Sequence, residues 1–121
     1  MTSSQKSYRT EDTFTAAAIQ LMPADSVAKN LENAKSLLRE AASRGADIAV
    51  LPENFAYYGQ SNTSALIKDE VDELGLAGKF LRAQAQELEI WIVGGTIPVL
   101  GCVEPADINR PYARSYLVNP K

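Results

Sequence analysis

The chain has 121 residues, 45% of them apolar, which is enough for one domain of modest core and too few for two. Its 12 basic and 15 acidic residues leave a net charge of −3, so no basic stripe exists to neutralise phosphates, and no run approaches the roughly 20 apolar residues that cross a bilayer. Histidine is absent, which removes Ser-His and Cys-His nucleophiles, argues against a zinc site and leaves acid–base chemistry to carboxylates, lysines and tyrosines.

Met1 to Thr13 is polar and mixed in charge, without the apolar core of a secretory signal, and reads as a disordered tail before a folded part spanning 14–121. Phe14 to Leu21 is a largely apolar first strand, ended by Met22-Pro23. Asp25 or Ser26 can cap the helix that follows, because a short oxygen-bearing side chain accepts from a free N–H of the first turn. Val27, Leu31, Ala34, Leu38 and Ala41 recur at intervals of four, three, four and three, an apolar stripe along one helical face. Glu40 and Arg44 form a favourably ordered pair on the other side, and Gly45 supplies a left-handed stop.

Asp47 to Leu51 is the second strand, its core Ile48-Ala49-Val50-Leu51 reading as buried on both faces. Strand, helix and strand in succession make a βαβ unit with parallel strands. Pro52 cannot donate a ladder hydrogen bond and marks the strand end. Glu53 comes next, at the carboxyl end of a parallel strand, where open α/β sheets carry their ligand chemistry. Phe55, Tyr57 and Tyr58 follow closely and would wrap the carboxylate in apolar surface. Glu53 is thus the candidate catalytic base, with Tyr57 and Tyr58 as candidate substrate contacts.

Gly59 to Leu76 reads as a surface loop and a short amphipathic turn, in which Asp69, Glu70, Asp72 and Glu73 are a solvated face and lack the Gly-centred spacing of a calcium loop. Lys79 to Leu88 is the second helix, with Phe80, Leu81, Ala85 and Leu88 towards the sheet. Ile90 to Pro98 is the third strand; Gly94-Gly95 inside it mark a bulge or close backbone approach, or make room for a helix. Leu100 to Pro111 is a turn-rich loop holding Cys102, the lone cysteine, which rules out an internal disulfide and suits a reducing, cytoplasmic setting. With nothing evident to activate it, Cys102 is not read as a nucleophile. Tyr112 to Val118 is the fourth strand, and Asn119-Pro120 opens a turn, an unusual place for a domain to finish, so the chain reads as truncated.

Ala17-Ala18-Ile19-Gln20-Leu21, Asn30-Leu31-Glu32-Asn33-Ala34, Ala46 through Phe55 and Ile92 through Pro98 together resemble the opening of the nitrilase or carbon–nitrogen hydrolase superfamily, and within it the Nit-type branch of omega-amidases and deaminated-glutathione amidases. The resemblance implies an α/β fold, the N-terminal half of a nitrilase-type α-β-β-α sandwich, with a mostly parallel buried sheet and helices on one face. It implies hydrolysis of a non-peptide carbon–nitrogen bond by a glutamate, a lysine and a cysteine, with no cofactor and no metal, on a small-molecule amide, in a homo-oligomer. Glu53 falls on the family's glutamate. The motifs of the family's lysine and cysteine are not among these residues: Lys68 and Lys79 read as surface lysines, and Lys121 precedes the strand that would carry the catalytic one. The chain alone is therefore expected to be catalytically incomplete. A non-catalytic α/β binding or assembly module, acting through an exposed sheet edge, is the alternative reading. A nucleotide-binding βαβ unit is disfavoured, since no Gly-x-Gly-x-x-Gly follows the first strand.

Overall fold

The computed structural model describes residues 12–58, 75–99 and 112–121. Most of the expected tail, residues 59–74 of the expected Gly59–Leu76 segment with its acidic cluster and Lys68, and the expected loop holding Cys102 lie outside the described residues.

Local chemistry explains the first helix, α1 (Val27–Ser43). Ser26, in extended backbone, accepts from the Lys29 N–H at 3.3 Å, so one of the two expected caps is in place. Ala34, Leu38 and Ala41 are buried, with Val27 and Leu31 half-buried along the same stripe. Gly45, at φ +87°, turns the chain out of the helix, and Arg44 reaches Glu40 at 2.6 Å on the open side. The second helix, α2 (Leu76–Leu88), starts one turn before Lys79 and buries Ala77, Leu81 and Ala85. Glu89 in the left-handed region closes it.

A four-stranded sheet lies against the two helices. Its strands β1 (Ala16–Ala18), β2 (Ile48–Leu51) and β3 (Trp91–Gly94) are parallel neighbours, as the βαβ reading expects. The register sets Ala17 beside Ala49 and Ala49 beside Ile92, with Leu51 beside Gly94. These positions share one face, and with Leu38, Leu81 and Ala85 of the helices they form the core. Both helices thus cover the same face. The expectation that β2 is buried on both sides is not met among the described residues: Val50, on the opposite face, is 39% exposed.

Two sequence readings gave single strands where the structure has pairs. Ile90–Pro98 divides into β3 and β4 (Ile97–Val99), and Tyr112–Val118 into β5 (Tyr112–Arg114) and β6 (Leu117–Val118). β6 pairs antiparallel with β3 and extends the main sheet, while β4 and β5 form a second, two-stranded sheet. The register explains the division. Val93 faces Leu117 and Ile97 faces Arg114, so four steps on one side oppose three on the other. The extra residue is a β-bulge at Gly94–Thr96, with Gly95 at φ +41°, and it swings the ribbon from one sheet into the other.

Candidate active site

β2 presents Glu53 one residue beyond Pro52, at the carboxyl edge of the parallel strands. The turn around it is anchored on both sides. A Cβ at Gly95 would fall on the carbonyl oxygen of Pro52, so the bulge lies directly against the end of β2. Asn54, held at φ +51°, donates its N–H to Thr96 Oγ1 at 3.0 Å. Tyr57 N–H donates to the Asn54 carbonyl at 3.2 Å and closes the turn. Tyr58 N–H donates to the Ala24 carbonyl at 3.1 Å, which ties the exit of the turn to the segment leading into α1.

Asn30 completes that attachment. Its side chain, 1% exposed, accepts from Ala24 N–H at 2.8 Å and donates to the carbonyls of Ala24 at 2.7 Å and Ala56 at 2.9 Å. Asn30 and Thr96 escaped the sequence reading as contributors to the site. A signal existed for Asn30, since a polar residue between Val27 and Ala34 interrupts an apolar stripe and must find buried partners.

The aromatic surroundings differ from the expectation. Phe55 does not enclose Glu53; it is fully buried in the core, its ring 6.5 Å from that of Phe80. Tyr57 is buried, whereas Tyr58 is 66% exposed. The turn is too short to aim three neighbouring rings at one point, and burial claims the ring that reaches the core. Glu53 itself is exposed, a carboxylate open to solvent on a fixed stalk. Lys79 and Lys121 are exposed, and among the described residues no cation pairs with Glu53. No group of three or more acidic, cysteine or histidine side chains in the described residues could hold a metal. A groove of about 320 Å³ between α2 and β6, lined by Arg82, Tyr116 and Lys121 among others, contains none of the Glu53 turn.

Residues 15–121 match the family model described as carbon-nitrogen hydrolase. Among curated proteins, the chain is 39% identical over 88 residues to omega-amidase NIT2 of Mus musculus, covering 71% of this chain and 30% of that protein. It is 32% identical over 85 residues to deaminated glutathione amidase of Synechocystis sp., covering 70% of this chain and 30% of that protein. The chain thus spans about a third of the length of the curated relatives it matches. Among solved structures, Nit3 of Saccharomyces cerevisiae, a member of branch 10 of the nitrilase superfamily, superposes with a TM-score of 0.71 at 24% identity, covering 87% of this chain and 39% of Nit3. The NitFhit protein of C. elegans gives 0.69 at 20% identity, with 88% and 25% covered.

Proposed function

With the family model matching nearly all of it, this chain belongs to the carbon-nitrogen hydrolase family, and from that premise we propose that it supplies the general base, Glu53, of an amidase that converts a small-molecule amide to a carboxylate and ammonia. The observation that supports this reading is the placement of an exposed carboxylate just past β2, on a turn anchored at both ends. A catalytic base has to meet its proton at hydrogen-bond range, and a held backbone reduces the ordering that this requires.

In the proposed reaction the Glu53 carboxylate takes the proton of a cysteine thiol, and the thiolate attacks the amide carbon. A lysine ammonium stabilises the oxyanion. The proton returns to the leaving nitrogen, ammonia departs, and a thioester remains. Glu53 then removes a proton from water, which attacks the thioester and frees the acid and the thiol. The lysine and the thiol would come from polypeptide beyond these residues. Tyr58, the more open of the two tyrosines, is proposed to meet substrate, with Tyr57 forming the wall behind it. A glutamate-to-glutamine mutant of the amidase from Nesterenkonia sp. AN1, a structural neighbour at 21% identity, shows the result of Michael addition of acrylamide at its active-site cysteine, and a thiol is the nucleophile proposed here. A cytoplasmic setting and a homo-oligomeric assembly complete the proposal.

The test grafts residues 15–121 of this chain into mouse omega-amidase NIT2 in place of the corresponding segment. The chimera is expected to release ammonia from a 2-oxo-dicarboxylic acid monoamide, and Glu53→Gln is expected to lower kcat by ~100-fold or more. A folded Glu53→Gln chimera with undiminished turnover would refute the assignment. The 121-residue chain alone is expected to release none; robust turnover by it would show that the division of roles is wrong.

A further inference from the structure

We propose that Thr96 and Asn30 are positioning residues which hold the Glu53 turn from opposite sides. The inference rests on Glu53 being the working carboxylate, and it concerns how the chain keeps that carboxylate in place. On the entry side, Thr96 Oγ1 accepts the Asn54 N–H at 3.0 Å, and Gly95 abuts the Pro52 carbonyl. Those contacts grip the residues immediately before and after Glu53. On the exit side, the Asn30 amide uses both N–H groups, on the Ala24 and Ala56 carbonyls, while its oxygen accepts from Ala24 N–H. The Ala24 carbonyl also receives Tyr58 N–H, so one side chain on α1 joins the helix entry to the end of the turn.

Packing alone does not account for either residue. Asn30 lies on the apolar stripe of α1, where an aliphatic side chain would fill the space without burying an amide. A buried amide costs free energy unless bonded, and this one is bonded to the backbone of two segments that flank the site. Asn54 sits in the left-handed region, uncommon for a residue with a side chain, and the Thr96 hydroxyl is what receives its N–H there. The left-handed backbone at Asn54 and the bulge at Gly95 thus meet through one hydrogen bond, beside the proposed base.

The experiment uses the 121-residue chain without substrate, followed by amide hydrogen exchange and by the NMR resonances of the Glu53 side chain. Thr96→Val keeps the shape and removes the acceptor. It is expected to raise exchange at the Asn54 amide at least ten-fold and to shift or broaden the Glu53 carboxyl resonance, with α1 and α2 amides unaltered. Thr96→Ser, which keeps the hydroxyl, is expected to restore both. Asn30→Ala is expected to raise exchange at Tyr58 in the same selective way; should it unfold the chain, the Thr96 pair still decides the matter. Wild-type behaviour of Asn54 and Glu53 in Thr96→Val overturns the proposal, as does a Ser variant that fails where Val succeeds, since packing would then be the whole role. These readouts need no turnover. An inert chimera with a selective exchange response counts against the amidase reading alone, and an active chimera with no such response counts against the clamp alone.

Discussion

Gly94 and Gly95 are adjacent, yet different neighbours require each of them. A Cβ on Gly94 would strike the Leu81 side chain, so this glycine lets α2 lie close to β3. A Cβ on Gly95 would strike the Pro52 carbonyl, and the residue also sits at φ +41°. The sequence offers close backbone approach and helix packing as rival explanations of the pair, and the structure assigns one to each residue. Local pattern could not make that division, because it depends on which distant atoms arrive beside each glycine. Leu81 can change rotamer, whereas a backbone carbonyl cannot move without shifting β2. Gly95→Ala should therefore destabilise the chain by about 2 kcal/mol or more, combining left-handed strain with the clash. Gly94→Ala should cost less, about 1–2 kcal/mol, the lower part of the overpacking range, because the Leu81 side chain can partly adjust. Urea denaturation of both variants checks the order; the same order is expected in loss of protection at the Asn54 amide, which only the Gly95 change should affect.

At the scale of elements, α1 was readable because its information is local: a cap, a stripe of period near 3.6 and a terminal glycine within about twenty residues. The consequences can be ranked. Leu38 is fully buried between helix and sheet, so Leu38→Ala should cost about 2–5 kcal/mol. Ser26→Ala removes a 3.3 Å cap bond and should cost about 1 kcal/mol. Glu40→Ala breaks a pair whose partners are both largely solvated and should change stability by less than about 0.5 kcal/mol. Thermal denaturation should return the three in that order. Strands were harder to read. The division of Ile90–Pro98 and Tyr112–Val118 each into two follows from a one-residue mismatch of register between segments that are far apart in sequence. Neither segment shows it alone. The same limit applies to the site: Pro52-Glu53 announced a strand end, but Thr96 and Asn30 reach the turn only through the fold.

For the molecule as a whole, the face of the sheet turned away from the helices has consequences of its own. It presents Ala16 and Ala18 from β1, Ile48 and Val50 from β2, Trp91 and Val93 from β3 and Leu117 from β6. Every one of these is apolar, with Trp91 43% and Leu117 64% exposed. A contiguous apolar surface of this kind normally meets another protein layer. The α-β-β-α resemblance places a second sheet on it, and packed sheets interdigitate such residues about 10 Å apart. One substitution should then act with opposite sign in two settings. In the 121-residue chain, Val50→Lys puts a charge on an open face. Sedimentation should show self-association beginning at roughly ten-fold higher concentration, as expected when a charge interrupts an adhesive apolar sheet, with stability changed by less than about 1 kcal/mol. In the omega-amidase chimera the same residue would be enclosed between layers, and an unpaired buried ammonium should abolish folding or activity. Trp91 provides the independent measure: its fluorescence should be quenched readily by acrylamide in the dilute chain and poorly in the chimera. Equal quenching in both would mean that the face stays uncovered in the chimera, and the sandwich arrangement would have to be given up.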